Sequence, residues 1–401
     1  MKPIVSARHC GSDASDEKIR AALFDMLDSM DGLAASFGSM ERIAVKSNLG
    51  IKDVRLKRGR QIALADASVV VATAAWLRSR TDARIVLGDA STGIRCEEVA
   101  EAVGIIEPLK RLNVEIVDYN DEPYANFEVP DGGLMFREYT MSEEMAAADA
   151  VVSIAKMKAH LSTGATLTLK NLFGIPPTSA YGCPRRYLHA PIRLPRVIAD
   201  LGLILRPSLC VIDGIVGQTR AEWNAEAVEP GWLIAGNNTI AADAVAMRIM
   251  GFDPLGDYPD SPFHFDRNPV KLAAERGLGP AELEEIDLRG DPLHTAEGYF
   301  ADRNNDPSLL DEIRRSIADQ AELFEENRER YVRRFPNQFI GLYDGEVAHA
   351  GASLDQMKSR GQIARERGKR NKGLYLKKAV PLPQELETYS VYRSILDGAR
   401  A

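Results

Sequence analysis

Short β-branched runs alternate with amphipathic helical patterns over about the first 255 residues, and this alternation restricts the fold more than any other feature. The predicted strands are Ile4–Ala7, Arg42–Lys46, Arg84–Leu87, Val114–Val117, Ala150–Ala155, Leu209–Ile212 and Trp232–Ala235. The predicted helices are Asp16–Met30, Asp66–Arg80, Cys96–Val103, Arg193–Leu205 and Ile240–Met250. We therefore expect an α/β fold: a Rossmann-like parallel or mixed sheet, flanked by helices and arranged in two lobes.

Two segments interrupt this alternation, and a third follows it. Pro and Gly between apolar stretches predict a hairpin over Phe127–Tyr139, and they predict a loop over Thr178–Ile192. After Pro254 the composition shifts, and a long helical pattern runs from Asp306 to about Arg334. We accordingly divide the chain into an α/β domain over residues 1–255 and a mostly helical extension over residues 256–401, which covers the first domain or forms oligomer contacts.

Charge and cysteine usage exclude several classes of protein. The chain has 50 Lys and Arg against 58 Asp and Glu, a net charge of −8, whereas nucleic-acid-binding proteins are usually basic. The four cysteines form no CxxC pair, so the chain has no iron–sulfur cluster motif. No apolar run approaches the ~18 residues of a membrane span, and the N-terminus MKPIVSARHC has no secretory pattern. We expect a cytoplasmic protein that binds neither membrane nor nucleic acid.

One stretch departs from the acidic balance. Lys358–Lys378 contains nine basic residues and one acidic residue, Glu366. Grooves that bind nucleic acid usually combine cations with aromatic rings, and this stretch has only Tyr375. The pattern favours a helix that is solvated or faces another subunit, so a homo-oligomer is one of our expectations.

The segment Lys156–Gly174 concentrates polar side chains directly after a predicted strand, where ligands usually bind in α/β sheets. Its sequence is KMKAHLSTGATLTLKNLFG, and its candidate residues are Lys158, His160, Thr163, Lys170 and Asn171. A histidine can act as acid or base or bind a metal, and a partly dry lysine can be a nucleophile or an anion clamp. The alternative is that Lys170 lies on an exposed helix and that His160 is structural.

Polar residues also follow other predicted strands. Lys46 and Asn48 follow the second strand and could hold a carboxylate or a phosphate, although a solvated charged loop also explains this region. The turn GDASTG carries Asp89 and Ser91, which could contact an anion, a sugar hydroxyl or a metal. A plain turn between strand and helix explains GDASTG almost as well.

Two further carboxylates and one loop complete the set of candidates. Asp213 follows a predicted strand and Asp243 lies in the first turn of a predicted helix, where carboxylates could share a cation or act as acid and base. The helix dipole alone also favours an acid at position 243. Arg186 and His189 lie in the loop after Thr178, which could close over a ligand. The predicted metal ligands are His160, His189 and Asp243.

Six blocks of the chain resemble the domain of unknown function 362 family. They are VKSNLG at 45–50, VLGDAS at 86–91, KMKAHLSTGATLTLKNLFG at 156–174, LHAPIRLPRVIADL at 188–201, VIDGIVG at 211–217 and NNTIAADAVAMRIMGFDP at 237–254. The blocks follow the family's order over roughly residues 40–255. Many members carry a ferredoxin-like cluster module, whose cysteine runs are missing here. The resemblance therefore does not imply a built-in electron relay, and a separate redox partner is one of the partners that we expect, beside a second copy of the chain.

The central block is also remotely similar to the nickel-pincer lactate racemases. That family uses a histidine, a glycine four residues on and a lysine six residues beyond, which His160, Gly164 and Lys170 match. The resemblance implies that the lysine holds the cofactor, that the histidine is the acid/base and that His189 is the nearest counterpart of a nickel ligand. The chain departs from that family in its Thr- and Leu-rich run and in having only His9 upstream.

Together these features predict an enzyme that acts on a small carboxylate- or phosphate-bearing substrate by isomerase-like acid/base chemistry or by redox chemistry. The predicted catalytic residues are His160, Lys170 and Asp213. The predicted binding residues are Lys46, Asn48, Asp89, Ser91, Lys158, Thr163, Asn171 and Arg186. A metal ion or a metal-organic cofactor is compatible with this set. The alternative is a non-catalytic protein that binds a small ligand or a metal in the same pocket.

Overall fold

The computed structural model describes residues 2–222, 225–300 and 307–398. Within these ranges the strands are β1 (Ile4–His9), β2 (Arg42–Ser47), β3 (Leu56–Lys57), β4 (Arg60–Gln61), β5 (Arg84–Asp89), β6 (Val114–Asp118), β7 (Tyr124–Glu128), β8 (Glu138–Ser142), β9 (Ala150–His160), β10 (Gly164–Thr166), β11 (Leu209–Gln218), β12 (Ala227–Val228), β13 (Trp232–Gly236), β14 (Asp287–Gly290), β15 (Phe339–Tyr343), β16 (Glu346–Gly351) and β17 (Tyr375–Lys378).

The same ranges contain the helices α1 (Asp16–Asp28), α2 (Leu33–Gly38), α3 (Ala67–Arg80), α4 (Cys96–Val103), α5 (Ile106–Arg111), α6 (Glu143–Ala146), α7 (Thr168–Asn171), α8 (Thr178–Tyr181), α9 (Arg193–Leu205), α10 (Thr239–Ile249), α11 (Pro269–Glu275), α12 (Pro307–Glu326), α13 (Arg328–Arg334), α14 (Arg360–Arg367) and α15 (Ser390–Leu396). None of the helices in these ranges has the length and apolar character that a membrane crossing requires.

Ten strands of the described ranges form one mixed sheet. Its order is β14-β1-β13-β11-β9-β2-β5-β6, with β10 paired to β9 and β12 paired to β11. The five strands from β11 to β6 are parallel, whereas β13 runs antiparallel to both β11 and β1. The sheet is therefore mostly parallel, and the predicted α/β fold is confirmed.

Helices cover both faces of this sheet because successive strand residues point to opposite sides. Ile43 and Val45 of β2 belong to the core that α1 and α3 complete with Leu23 and Trp76. Ala44, between them, belongs to the opposite core, which includes residues of α9, α10 and α12. The result is a three-layer α/β/α arrangement in which the parallel strands are buried on both faces.

All seven predicted strands continue beyond their predicted ends, and two of them, β9 and β11, do so by five or more residues. The sequence prediction ended β9 at Ala155, but the strand runs to His160. It ended β11 at Ile212, but that strand runs to Gln218. Polar residues on one face of β9 find partners inside the protein, and Lys156 Nζ lies 2.7 Å from the Asp213 carboxylate. The predicted hairpin over 127–139 is confirmed, since β7 pairs with β8 in antiparallel register.

The C-terminal extension contains more β-structure than predicted. In its described part, β15 pairs with β16 and β17 in an antiparallel three-stranded sheet, and β14 joins the edge of the main sheet. The basic stretch 358–378 is helix α14 followed by β17, because Gly368 ends the helix with a positive φ of 68°. Part of its charge is paired, for example Lys358 with Glu366 and Arg367 with Glu346. The boundary at residue 255 stays a prediction.

A buried group of charges joins the extension to the α/β part. Arg193 begins α9 and lies 2.7 Å from Glu387, which also pairs with Lys377 at 2.8 Å. The side chain of Glu387 is fully buried, and Tyr375 and Tyr392 donate hydrogen bonds to its two oxygens. Breaking such a buried pair is costly because it leaves a carboxylate with too few counter-charges in a dry environment.

Replacing one partner of this pair tests its contribution. We expect Arg193→Met to lower the free energy of unfolding by about 3 kcal/mol or more, the usual loss when a buried pair is broken. The matched control is Arg333→Met, because Arg333 pairs with Glu329 on the surface and exposed pairs contribute less than about 1 kcal/mol. Urea unfolding followed by circular dichroism measures both losses. Equal losses in the two variants would contradict a stabilising role for the buried group.

Candidate functional site

A cavity of about 360 Å³ opens at the carboxyl ends of β2, β5 and β9. From β2, the strands β5 and β6 extend the sheet in one direction, whereas β9 and β11 extend it in the other. The strand order therefore reverses between β2 and β9. Ligands of open α/β sheets bind at such a reversal, outside the carboxyl ends of the strands.

The structure brings most of the predicted site residues to this cavity. Those that line it are Lys46, Asn48, Asp89, Lys158, His160, Lys170, Asn171, Arg186 and His189. They lie on β2 or directly after it, on β5, β9 and α7, and in the loop between α8 and α9. Residues distant in sequence thus share one small space because the parallel strands end at the same edge of the sheet.

Four predicted residues lie outside the cavity lining. Asp213 is buried and paired with Lys156, and it also accepts a hydrogen bond from the backbone N–H of Asp66. Asp243 accepts hydrogen bonds from the backbone of Thr168 and Leu169, which ties α7 to α10, and burial raises its pKa to about 7. The other two donate their hydroxyl protons to backbone carbonyls; they are Ser91 and Thr163.

Lys46 is held inside the wall of the cavity rather than presented to it. Its ammonium donates to Asp89 at 2.8 Å, to Asn171 at 2.9 Å and to the carbonyl of Ser47 at 2.7 Å, which uses all three protons. Among the described residues, Oδ1 of Asp89 and Oδ1 of Asn48 are buried without a hydrogen-bond donor. Lys46 is therefore a structural cation, and the two oxygens can accept hydrogen bonds from water or a ligand hydroxyl.

The ion pair between Lys46 and Asp89 requires a glycine beside it. A Cβ on Gly174 would lie 2.5 Å from Oδ1 of Asp89 and 2.6 Å from Cε of Lys46. Both distances are far below van der Waals contact, so any larger residue must displace the buried pair. Gly174 thus allows the turn after α7 to approach the carboxyl ends of β2 and β5.

Substituting this glycine tests the arrangement. We expect Gly174→Ala to lower the free energy of unfolding by about 1–3 kcal/mol, as overpacking of a dense interior does. The control is Gly361→Ala in α14, where the nearest atom to a Cβ is 3.8 Å away and alanine favours the helix. Urea unfolding compares the two. A Gly174→Ala protein as stable as the control variant would show that the pair is not tightly packed.

Lys170 and Lys158 differ from Lys46 because neither has a carboxylate partner. Nζ of Lys170 lies 4.7 Å from the ring centre of Phe173, and in the described ranges it has no hydrogen-bond acceptor. Loss of water lowers the pKa of Lys170 to about 7 and that of Lys158 to about 8, although Glu222 acts in the opposite direction. Lys158 donates one hydrogen bond, to the carbonyl of Ala63 at 2.9 Å. Both amines therefore change charge near neutral pH.

The two histidines of the cavity are uncharged at neutral pH. Burial lowers the pKa of His160 to about 3 and that of His189 to about 4. Nδ1 of His160 accepts the backbone N–H of Ser162 at 3.1 Å, so the neutral ring carries its proton on Nε2. That Nε2 lies 3.8 Å from a carboxylate oxygen of Glu222. The Nε2–H of His160 is therefore a hydrogen-bond donor on the side of the cavity where Glu222 lies.

Two charged lining residues, Glu222 and Arg185, were not among the predicted site residues. Glu222 is fixed by the backbone N–H of Leu161 at 3.0 Å; burial acts to raise its pKa, but His160 and that N–H hold it at about 2. Arg185 is buried and donates through Nε to the carbonyl of Pro176. Glu222 lies four residues beyond the end of β11, and this position could have identified it as a candidate. The sequence prediction missed it because it ended β11 too early.

The predicted metal ligands do not form a ligand set. No group of three or more His, Cys, Asp and Glu side chains in residues 2–222, 225–300 and 307–398 is placed to hold a metal ion. The ring centres of His160 and His189 are 6.5 Å apart, and both oxygens of Asp243 accept hydrogen bonds from protein groups. His160, His189 and Asp243 do not by themselves form a site for a bare metal ion, and no chemical step is assigned to a metal or a metal-organic cofactor.

Fold and cavity together define the class: a mixed α/β protein with a small, cation-rich cavity at the carboxyl edge of its parallel strands. Residues 43–248, which are 206 of the 401 residues, match the model of the family described as Domain of unknown function (DUF362). The chain belongs to this family, and the assignment from the sequence blocks is confirmed.

Relatives of the chain include the thylakoid-associated protein sll1697 of Synechocystis sp., which is 26% identical over 271 residues, 66% of this chain and 77% of that protein. Among solved structures, a lactate racemase apoprotein from Thermoanaerobacterium thermosaccharolyticum aligns with a TM-score of 0.37 and 13% identity over 59% of this chain and 54% of that one. A Thermotoga maritima protein aligns with a TM-score of 0.29 and 16% identity over 48% and 42%. The chain spans about half the length of these two solved chains.

Proposed function

We propose that the protein is an enzyme that moves a proton to or from a small anionic molecule held in this cavity. One observation carries the proposal: the cavity combines an amine whose pKa is lowered to about 7, on Lys170, with uncharged histidines and further cations. A general acid or base is most effective when its pKa lies near the working pH. Perturbed groups gathered in a cleft at a strand reversal are typical of active sites.

Lys170 is the residue that carries the proton in this proposal. It lies at the cavity on the short helix α7, and its ammonium has no acceptor in the described part of the chain, so a substrate can reach it. With a pKa of about 7, both the free amine and its protonated form are accessible near neutral pH. The free amine can take a proton from a bound molecule, and the protonated form can return it.

His160 has a different role from the one that the sequence suggested. Because Nδ1 already accepts a hydrogen bond and burial keeps the ring neutral, His160 is a poor base. Its Nε2–H can instead donate a hydrogen bond to an oxygen on which negative charge develops during proton transfer. The backbone N–H of Ser162, which donates to Nδ1, keeps the ring oriented, and Glu222 lies 3.8 Å from Nε2.

Lys158 binds the anionic part of the substrate together with the arginines of the loop. Its pKa of about 8 keeps most molecules protonated at neutral pH, and cations hold carboxylates or phosphates through charge-assisted hydrogen bonds. Anion binding should therefore weaken as the pH rises through about 7 and 8, where Lys170 and Lys158 lose their protons. The histidines do not contribute to this change, because they are already neutral above about pH 4.

Hydrogen exchange in heavy water tests the proposal without knowledge of the full reaction. Wild-type protein is incubated in D₂O with a mixture of small 2-hydroxy, 2-oxo and dicarboxylic acids and sugar phosphates, and deuterium incorporation is followed by NMR. We expect at least one compound to exchange a carbon-bound proton. We also expect Lys170→Met to reduce that rate about 100-fold or more, the usual contribution of a general acid or base.

The matched control is Lys110→Met, which removes an exposed positive charge on α5 and should leave the exchange rate unchanged. His160→Gln should slow the exchange less than Lys170→Met does, because the amide of glutamine can still donate a hydrogen bond. Exchange at the wild-type rate in Lys170→Met would contradict the assigned role. Anion binding without exchange of any compound would favour the alternative, a non-catalytic binding protein.

Three sequence predictions remain part of the proposal. They concern a cytoplasmic location, a homo-oligomeric state and a separate redox partner. None of them affects the assignment of Lys170 and His160, which depends only on contacts within one chain. They stay predictions, and the chemistry proposed for the cavity stands without them.

A further inference from the structure

The lining of the cavity carries an excess of positive charge although the whole chain is acidic. Five lining side chains are cations and two are carboxylates, an excess of three positive charges, whereas the chain as a whole has a net charge of −8. The cations are Lys46, Lys158, Lys170, Arg185 and Arg186, and the carboxylates are Asp89 and Glu222. The fold, rather than the overall composition, therefore concentrates positive charge around this cavity of about 360 Å³.

Not all of these charges are available to a ligand. Lys46 and Asp89 neutralise each other at 2.8 Å inside the wall. Of the remaining cations, Arg185 and Arg186 stay charged at any ordinary pH because guanidinium groups do not lose their protons in proteins. With Lys158 they number three, against the single carboxylate of Glu222. Two positive charges are thus uncompensated even when Lys170 is a neutral amine.

The uncompensated cations are fixed by protein contacts. Arg185 Nε donates to the carbonyl of Pro176 at 2.6 Å, and Arg186 Nη1 donates to the carbonyl of Met357 at 2.7 Å. Lys158 is held by the carbonyl of Ala63 on another side of the cavity. Carbonyl oxygens orient these groups but do not neutralise them, so their positive charge persists in the lining of the cavity where a ligand binds.

We propose that the cavity binds a compact organic dianion, either a dicarboxylate or a phosphate monoester. This inference rests on the proposed function to the extent that it names the class of substrate for the same cavity. Two negative charges balance the two uncompensated positive charges, whereas a monoanion leaves one of them buried without a partner, which is unfavourable. The volume of about 360 Å³ is near the lower limit for ligand pockets, which favours a small ligand.

Matched ligands that differ by one charge test the proposal. Isothermal titration calorimetry at about pH 7.5 and fixed salt compares malonate, succinate and glutarate with their monoamides, and methyl phosphate with dimethyl phosphate. We expect at least one dianion to bind about 10- to 100-fold more tightly than its singly charged partner, since one charge-assisted hydrogen bond contributes on that order. Preference within the carboxylate pairs or within the phosphate pair identifies which kind of dianion the cavity accepts.

A variant of one cation locates the preference in the cavity. We expect Lys158→Met to reduce the ratio between dianion and monoanion affinities to about 3 or less, because one of the two uncompensated charges is lost. Lys110→Met removes an exposed charge elsewhere and should keep the wild-type ratio. The measurement on wild-type protein is decisive even if Lys158→Met does not fold. Equal binding of both members in every pair, or a full preference in folded Lys158→Met, would overturn the proposal.

The two proposals can fail independently of each other. Binding at equilibrium requires no turnover, so a dianion preference without hydrogen exchange keeps this inference and removes the enzymatic one. Exchange of a monoanionic compound, together with equal binding in all pairs, would do the reverse. Lys170→Met separates them further, because it should abolish exchange while the dianion preference, which depends on Lys158 and the arginines, is retained.

Discussion

Lys46 and Asp89 form an ion pair of 2.8 Å that joins the carboxyl ends of β2 and β5 inside the protein. Both side chains are only 1% exposed, so neither charge is tolerable without the other. Asn171 accepts a hydrogen bond from the same ammonium and thereby fixes the short helix that carries Lys170. Gly174 makes room for the pair at the end of that turn. The position of Lys170 in the cavity therefore depends on this buried interaction.

The dryness of the cavity wall explains the chemistry that we propose. Loss of water disfavours the charged form of an amine or an imidazole, so Lys170 has a pKa of about 7 and His160 one of about 3. The same dryness strengthens attraction between the remaining cations and an anion, because little solvent screens them. Burial lowers the pKa of Lys46 as well, but its ammonium donates to Asp89, Asn171 and the carbonyl of Ser47, and Lys46 is structural for that reason. Pairing thus distinguishes the structural lysine from the reactive one.

Much of the fold was predictable from the sequence because each parallel strand is a continuous apolar run between helices. The ends of β9 and β11 were not predictable in this way. Polar residues normally mark the end of a buried strand, but Lys156 and Asp213 neutralise each other and lie inside the sheet. Most cavity residues were predictable because they follow strand ends. Glu222 was not, because its place depends on the true end of β11. The pairing of β17 with β15 joins distant segments and leaves no local signal, whereas the β15–β16 hairpin, which turns at Asp344 and Gly345, carries a signal that the sequence prediction missed.

A direct titration of Lys170 tests the central claim, that a partly dry cavity lowers the pKa of an unpaired lysine. Protein labelled with ¹³C at lysine Cε is titrated by NMR from about pH 5 to 11, and Lys170→Met assigns the signal. The account predicts a midpoint near pH 7 for Lys170, well below the usual lysine value of about 10.4. A midpoint near that usual value would mean that Lys170 is solvated and permanently charged, and it would contradict the assignment of this lysine as the acid/base.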